Sequence, residues 1–243
     1  MVQGIYTTVS NRKIARDVYE MVLSGDTSAL TAPGQFINIK IEGCFLRRPI
    51  SVCDWDGDTV KIVYKVVGSG TAAMSEMAAG QTLDVLAGLG NGFDTAKSGE
   101  APLLVGGGVG TPPMVGLCKR LAAEGKHPTV VLGFASREDV FYEDKFRSLG
   151  ADVRIATADG SYGVHGFVTD AMAGMEDSYF YACGPTPMLR AVSDASRSDG
   201  QLSFEERMGC GFGACMGCSC KTKYGNKRIC RDGPVLTKGE VIW

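Results

Sequence analysis

The sequence has no long hydrophobic run, no large excess of charge of one sign and only two histidines. No stretch approaches the roughly 18 uncharged apolar residues that a membrane-spanning helix needs. The net charge is −2, from 25 basic and 27 acidic residues, which gives no overall basic field for a nucleic acid. Residues 1–10 lack the basic segment and the apolar stretch of a secretory signal. The sequence therefore predicts a cytoplasmic globular protein with neither a nucleic-acid partner nor a membrane span.

Side chains for acid–base or nucleophilic catalysis are also scarce. His127 lies before a proline in a predicted loop, and His165 lies in a glycine-flanked turn. Neither belongs to a recognisable triad, and no pair of acidic and basic groups is placed to process an organic substrate. We therefore predict no catalytic side chain in this chain.

Glycine and cysteine, in contrast, are abundant. The 33 glycines are close to twice the average share of about 7%. Five of the 9 cysteines lie between Cys210 and Cys230. In a cytoplasmic protein, such clusters are more often metal or redox centres than disulfides.

The spacing in this segment is C-x4-C-x2-C, with a further cysteine twelve residues on, which is the plant-type [2Fe–2S] arrangement. The interspersed glycines would let the backbone wrap closely, so that amide N–H groups point at the inorganic sulfides. The alternative is a zinc ribbon, but the segment has only one C-x2-C knuckle and no second one completes it. We interpret Cys220 as a bystander. The predicted cluster ligands are Cys210, Cys215, Cys218 and Cys230.

The order of predicted elements indicates two modules and an appendage. Residues 18–23, 35–41 and 59–67 are rich in β-branched and aromatic residues, and turn sequences separate them. Such strands predict an antiparallel β barrel, with one helix over residues 71–77. Further along, strands over residues 102–105, 129–134, 152–156 and 179–183 alternate with helices over residues 112–124, 140–148, 168–175 and 187–196. This alternation predicts an α/β domain with a parallel sheet.

The predicted domain boundaries follow from this change of pattern. The barrel takes residues 1–95, the α/β nucleotide-binding domain residues 96–203, and the cysteine-rich module residues 204–243. The last module is too small to build a core of its own without its metal.

Two segments of the barrel region could bind a flavin. Residues 48–51 place an arginine and a hydroxyl three residues apart on a strand, where they could hold a pyrophosphate and a flavin ring. Residues 68–71, at the start of a helix, offer a second phosphate site. The first segment also has a structural interpretation, because an arginine on a strand usually lies on a solvated face.

Two glycine-containing turns of the α/β region could bind a dinucleotide. Residues 106–111 follow a strand and open a helix, which is the context for a pyrophosphate, although the string is not G-x-G-x-x-G. A tight βα turn is the structural alternative. Residues 183–186 follow the fourth strand, so Cys183 could either touch a nicotinamide or be a buried strand residue.

Together these motifs resemble the ferredoxin–NADP reductase superfamily, in which a flavin-binding barrel precedes a nicotinamide-binding domain. More narrowly, the whole chain resembles the family of electron transfer subunits of class 1B dihydroorotate dehydrogenases. The resemblance is carried by residues 48–51, 89–93, 105–113, 182–185 and above all 205–234. One departure is Ile50, where the superfamily often has a tyrosine, so no aromatic ring would stack on the flavin from this position.

The resemblance implies that the chain holds FAD, a [2Fe–2S] cluster and NAD(H). A separate FMN-containing catalytic subunit would oxidise dihydroorotate to orotate in pyrimidine biosynthesis, and two copies of each subunit would form a heterotetramer. Electrons would pass from FMN through the cluster to FAD, and then as a hydride to NAD⁺. The implied FAD residues are Arg48, Pro49, Ile50, Ser51, Tyr64, Lys65, Val66, Gly70 and Thr71. The candidate nucleotide residues are Gly107, Gly108, Gly110, Thr111, Cys183, Gly184 and Pro185.

Two other functions stay open at this point. One is a related FAD and [2Fe–2S] NAD(P)H reductase subunit that serves another complex, such as a hydrogenase or a glutamate-synthase-like enzyme. The other is a zinc-stabilised, nucleotide-binding regulatory protein without redox turnover. The choice between NAD and NADP also stays open, because Ser136 and Arg137 could hold a 2′-phosphate, whereas Glu138 and Asp139 would repel one.

Overall fold

The first part of the chain is a closed barrel of six antiparallel strands in the order β1-β2-β5-β4-β3-β6. The computed structural model describes residues 1–176 and 178–243. The barrel strands are β1 (Val2–Ala15), β2 (Val18–Ser24), β3 (Phe36–Lys40), β4 (Arg48–Asp56), β5 (Thr59–Lys65) and β6 (Thr82–Leu89). A short helix, α1 (Ser69–Ser75), connects β5 to β6.

The barrel forms because each strand presents apolar side chains to the inside. β-Branched and aromatic residues such as Ile37, Ile39 and Ile62 are fully buried in one apolar core. The predicted antiparallel barrel is therefore confirmed, and β2, β3 and β5 match the three predicted strands. The helix begins at Ser69, two residues before the predicted start.

The second part of the chain is a seven-stranded sheet in the order β10-β9-β8-β7-β11-β12-β15. Its strands are β7 (Leu103–Gly107), β8 (Thr129–Phe134), β9 (Asp152–Thr157), β10 (Val164–His165), β11 (Phe180–Cys183), β12 (Gly200–Ser203) and, from the C-terminal segment, β15 (Val235–Thr237). The helices are α2 (Thr111–Ala123), α3 (Glu143–Ser148), α4 (Val168–Ala171) and α5 (Thr186–Ala195). All pairings except β12–β15 are parallel, which confirms the predicted α/β domain.

Two of the predicted helices are too long. The helix predicted over residues 140–148 begins only at Glu143, because Tyr142 has a left-handed φ of 68° and breaks the helical path. The helix predicted over residues 168–175 ends at Ala171, and Gly174 follows with a left-handed φ of 75°.

The cysteine-rich C-terminal segment completes the core of the α/β domain. It contains the hairpin β13 (Ser219–Thr222) and β14 (Gly225–Arg228), and the short helix α6 (Ile229–Asp232). After α6, β15 pairs antiparallel with β12 and becomes the edge strand of the large sheet. Ile229, Cys230 and Leu236 are buried in the same apolar cluster as Phe180 and Leu202. The segment thus shares the core of the sheet, and β15 is a strand that no sequence pattern predicted.

The connector after β6 ties the barrel to this C-terminal segment. The Asn91 side chain donates to the Val235 carbonyl oxygen at 2.7 Å and accepts from the Val235 N–H at 3.1 Å. The Asn91 N–H also donates to the Gly233 carbonyl oxygen at 2.7 Å. One side chain therefore fixes the start of β15 against the end of the barrel.

A buried ionic network joins the barrel to the α/β domain. Glu20, on β2, is only 4% exposed, and its carboxylate accepts a hydrogen bond from the Tyr142 hydroxyl. Arg12 approaches the same carboxylate at 2.7 Å and Lys61 at 3.7 Å. Burial alone would raise the pKa of Glu20, but the hydrogen bonds from Tyr142 and Arg12 and the charge of Lys61 lower it.

In the part of the chain that the structure describes, no helix combines the length and the hydrophobicity of a membrane span.

Tyr142→Phe should destabilise the protein by about 1–3 kcal/mol, because the nearly buried Glu20 carboxylate loses one of its hydrogen-bond donors. Chemical denaturation of the variant measures this loss. Tyr224→Phe is the matched control, since Tyr224 is 80% exposed. Equal stability of the two variants would show that the Tyr142 hydroxyl contributes nothing.

The same network predicts a pH dependence. Because the pKa of Glu20 is lowered from 4.5 by folding, its contribution to stability is present above that value and is lost as the pH falls through the lowered pKa. Glu20→Gln cannot titrate. The wild type should therefore lose more free energy of unfolding than Glu20→Gln as the pH falls from about 5 to about 3. Parallel losses in the two proteins would contradict this account.

Candidate cofactor-binding sites

The loop that carries the first cysteines is shaped by glycines. Gly211 and Gly213 have left-handed φ values of 78° and 95°. A Cβ on Gly211 would overlap the Asn38 side-chain amide on β3, and one on Gly213 would lie 2.8 Å from the Arg231 side chain. The glycines therefore allow the loop to lie directly against the barrel and against α6.

The four predicted ligands lie in two pairs. The Cys210 sulfur accepts from the Cys215 N–H at 3.4 Å, and the Cys215 sulfur accepts from the Cys210 N–H at 3.4 Å. The Cys218 sulfur accepts from the Cys230 N–H at 3.4 Å. This division suits a binuclear cluster, in which each iron takes two thiolates.

The environments of the two pairs differ. Burial opposes ionisation of Cys210, but backbone N–H groups directed at its sulfur outweigh burial and lower its pKa to about 6. Cys218 and Cys230 lie in the apolar core, and burial, followed by the neighbouring Cys218, raises the pKa of Cys230 to about 12. One pair thus faces the surface and the other lies inside the protein.

The geometry fits the predicted [2Fe–2S] cluster. Four thiols in two separated pairs, with amide donors around them, are the donor set of a binuclear centre. Cys220 lies apart on β13, opposite Lys227, and packs against the core of the sheet.

The predicted flavin segment lies on β4, at the edge facing α1. The Arg48 guanidinium covers Gly70 so closely that a Cβ on Gly70 would overlap it. The preceding Arg47 is held in an ion pair with Asp84 at 2.9 Å, whereas Arg48 has no ion pair with any described residue. Arg48 is therefore the arginine of this pair that is available for a phosphate.

The other predicted flavin residues have more varied positions. Tyr64 is buried, and its hydroxyl donates to Asn11 at 3.0 Å, so only its backbone can face a ligand. The Thr71 hydroxyl accepts from the Val67 and Gly68 N–H groups at 2.9 and 3.2 Å, which fixes the turn before α1. The remaining residues are exposed or half-buried at the same edge of the barrel: Pro49, Ile50, Ser51, Lys65 and Val66.

The two glycine-containing turns of the α/β domain meet at the carboxyl ends of β7 and β11. Gly106 is the register partner of Cys183 in this parallel pair. A Cβ on Gly110 would overlap the Cys183 carbonyl group, and one on Gly107 would overlap the sulfur of Met188. The glycines are thus required for close packing of the two turns, as the structural interpretation expected.

Parts of the same two turns remain accessible to a nucleotide. Gly108 has a left-handed φ of 51° and open space around it, and Gly184 and Pro185 are partly or fully exposed. The Thr111 hydroxyl, in contrast, is fully buried and has no hydrogen-bond partner among the described residues. Cys183 is buried, which raises its pKa to about 12 and keeps the thiol neutral.

Sequence reasoning missed one residue that links two of these sites. Asn38, on β3, is the register partner of Pro49 in the predicted flavin segment, and its amide donates to the Cys210 carbonyl oxygen at 3.4 Å. Its side-chain oxygen is buried and has no partner within residues 1–176 and 178–243. Only the three-dimensional contact identifies it, because an isolated asparagine in a strand carries no pattern.

Comparisons with known proteins agree with this arrangement. A family model described as the iron–sulfur cluster binding domain of dihydroorotate dehydrogenase B matches residues 205–242, and an oxidoreductase NAD-binding domain matches residues 104–194. The solved structure of an NADH-dependent reduced ferredoxin–NADP oxidoreductase, described for electron bifurcation, is 30% identical with a TM-score of 0.89, covering 99% of this chain and 90% of that one. A ferredoxin NADP⁺ reductase from Neisseria gonorrhoeae, at 15% identity, has the same fold with a TM-score of 0.69 over 79% of this chain and 89% of its own.

The barrel, the parallel sheet and the cysteine loop define an oxidoreductase with a ferredoxin-reductase-like fold and an iron–sulfur domain. Two curated relatives have the name dihydroorotate dehydrogenase B (NAD(+)), electron transfer subunit. The one from Shouchella clausii is 46% identical over 99% of this chain and 98% of its own length. The one from Geobacillus sp. is 44% identical over 100% and 99%. This chain belongs to the family of dihydroorotate dehydrogenase B electron transfer subunits. The predicted cofactor set of FAD, a [2Fe–2S] cluster and NAD is confirmed at the level of the family.

Proposed function

We propose that this chain passes electrons from an FMN-containing dihydroorotate dehydrogenase subunit, through a [2Fe–2S] cluster and FAD, to NAD⁺ in pyrimidine biosynthesis. The observation that carries the proposal is the pairing of four thiols in the segment that matches the iron–sulfur domain of this family. Family membership over nearly the whole chain supports it.

The cluster would be held by two pairs of thiolates. Cys210 and Cys215 would bind one iron, and Cys218 and Cys230 the other. Amide N–H groups of Ala214 and Cys215 donate to the Cys210 sulfur and would stabilise the negative charge of the site.

FAD would lie along the exposed edge of β4. Arg48 would bind a phosphate of the pyrophosphate, since no described acidic group neutralises it. Gly70 leaves room for its guanidinium, and Thr71 fixes the turn beside it. Ser51 would meet the flavin from β4, while the backbone of residues 64–66 would meet it from β5.

NAD(H) would lie across the carboxyl ends of β7 and β11. The turn of residues 107–111 would receive the pyrophosphate, with open space beside Gly108 for it. The turn of residues 183–185 would face the nicotinamide. FAD, when bound, supplies the conversion between two-electron exchange with nicotinamide and one-electron exchange with an iron–sulfur centre.

The oxidation of dihydroorotate itself would take place on the partner subunit. This division explains why this chain has no acid–base pair for that substrate. We further propose a heterotetramer of two subunits of each kind, a cytoplasmic location, and a division of the chain into residues 1–95, 96–203 and 204–243.

Co-expression with an FMN-containing dihydroorotate dehydrogenase tests the proposal. The purified complex should reduce NAD⁺ with dihydroorotate, and neither subunit alone should do so. A stable complex should elute as one species. If no complex forms and dihydroorotate cannot reduce NAD⁺ in the mixture, the chain serves another partner, such as the other reductase complexes that the sequence left open.

A further inference from the structure

The loop after β8 lies where the adenosine half of a dinucleotide would be recognised. In doubly wound sheets, the pyrophosphate binds at the first βα turn and the ribose lies beside the end of the next strand. Here β8 is the neighbour of β7, whose end forms the glycine turn. Residues 135–139 follow β8 directly, so a 2′-hydroxyl or 2′-phosphate would approach this loop.

The donors of this loop are already engaged by Asp139. The Ser136 hydroxyl donates to the Asp139 carboxylate at 2.8 Å, and the Ser136 N–H donates to it at 3.1 Å. A 2′-phosphate would need these same donors. Ser136, one of the two residues that could hold such a phosphate, is therefore not available for it.

Arg16, from the turn between β1 and β2 of the barrel, holds Asp139 in place. Its guanidinium donates to the two Asp139 carboxylate oxygens at 2.6 and 3.1 Å, and it also reaches the Ser136 hydroxyl at 3.4 Å. Asp139 is only 9% exposed, whereas the Arg16 side chain is 49% exposed. The charge of Arg16 is therefore paired with the Asp139 carboxylate.

The second candidate cation, Arg137, is exposed and has no ion pair with any described residue. Its guanidinium lies 5.0 Å from the centre of the Tyr162 ring, and its backbone N–H donates to Ser161 at 2.8 Å. The exposed Glu138, 3.4 Å from Arg16, adds a negative charge at the rim. An incoming dianion would therefore meet the Glu138 carboxylate and a Ser136 hydroxyl that is already bonded to Asp139.

We propose that Asp139, positioned by Arg16, excludes a 2′-phosphate and makes this chain select NAD(H) over NADP(H). The inference rests on the proposed function, because it assumes that the dinucleotide binds at the ends of β7 and β8. Asp139 acts by withholding the two donors of Ser136, since its own charge is paired with Arg16. Arg16 acts through Asp139 and is a positioning residue contributed by the flavin-binding barrel.

Titration calorimetry on the full chain, loaded with FAD and cluster, tests the proposal with two probes. AMP reports the adenosine site, and adenosine 2′,5′-bisphosphate reports acceptance of the additional phosphate. Asp139→Ala frees Ser136 and Arg16, and should tighten the bisphosphate by at least about tenfold, or 1.4 kcal/mol, while AMP affinity changes less than about threefold. Asp139→Asn removes the charge but keeps an acceptor for Ser136, so it should give a smaller gain.

Glu138→Gln is the matched control, because it removes one negative charge from the same loop and leaves the Ser136 hydrogen bonds intact. If it tightens the bisphosphate as much as Asp139→Ala, net charge alone sets selectivity and the proposal is wrong. The proposal is also wrong if both Asp139 variants retain wild-type discrimination. If the wild type binds neither AMP nor NADH, the proposed nucleotide site itself is wrong.

Discussion

Cys215→Ser should eliminate the iron–sulfur cluster while leaving FAD bound. Cys215 is exposed and contributes one of the four paired sulfurs, so serine removes a ligand without opening a cavity in the core. Without the cluster, dihydroorotate-dependent reduction of NAD⁺ by the complex should fall by more than about 100-fold, since even outer contacts of metal sites contribute 10–100-fold. Iron analysis and visible absorption measure the loss. Reduction of the bound flavin by NADH should persist.

Cys220→Ser is the control for this experiment. Cys220 lies only two residues beyond Cys218, but its side chain packs against the core of the sheet and is not one of the paired thiols. Its iron content and activity should match the wild type. Loss of the cluster from Cys220→Ser, with retention in Cys215→Ser, would overturn the ligand assignment.

Cys215 is a better choice than either buried ligand. Cys218 and Cys230 belong to the apolar core that also holds β12 and β15. Their replacement would place a hydroxyl in that core and confuse loss of metal with loss of packing. The exposed member of the surface pair separates the two effects.

Gly70→Ala should weaken FAD binding strongly. A Cβ at this position would occupy the space of the Arg48 guanidinium, which would have to move away from its position beside α1. Losing one charge-assisted phosphate contact of about 1.5–3 kcal/mol corresponds to roughly a 10- to 150-fold weaker affinity. Flavin retained after gel filtration, and the Kd of FAD for the deflavinated protein, measure this loss.

Gly68→Ala is the matched control two residues away. Gly68 has an extended backbone with φ −169°, and a Cβ there would meet nothing within 4 Å. Its FAD affinity should stay within about threefold of the wild type. If Gly70→Ala also retains full affinity, Arg48 does not bind the flavin phosphate from the position it has here.

Patterns confined to neighbouring residues were readable from the sequence. The strand over Thr129–Phe134 was predicted at both ends, because a run of buried β-branched and apolar residues between polar turns has no competing helical period. The cysteine spacing predicts which thiols bind the cluster, because cluster geometry restricts the distances between thiols along the chain, and this assignment stays a prediction. Both features are local, so one sequence suffices for them.

Features that depend on distant residues were not readable. The three residues of β15 form a strand only because β12 offers an unpaired edge. The late start of α3 depends on Tyr142, whose hydroxyl is held by Glu20 more than a hundred positions earlier. The sequence left open whether Ser136 and Arg137 hold a 2′-phosphate or Glu138 and Asp139 repel one. It could not show that Arg16 from the barrel contacts Asp139. In each case the missing information is a tertiary contact.

The central claim is that this chain holds a flavin together with a binuclear iron–sulfur cluster. Metal, acid-labile sulfide and flavin analysis of the anaerobically purified full chain tests it most directly. The account predicts about two irons and two sulfides for each FAD, with the flavin reduced on addition of NADH. Stoichiometric zinc with almost no iron, and no flavin absorption, would contradict it and support the zinc-stabilised regulatory protein.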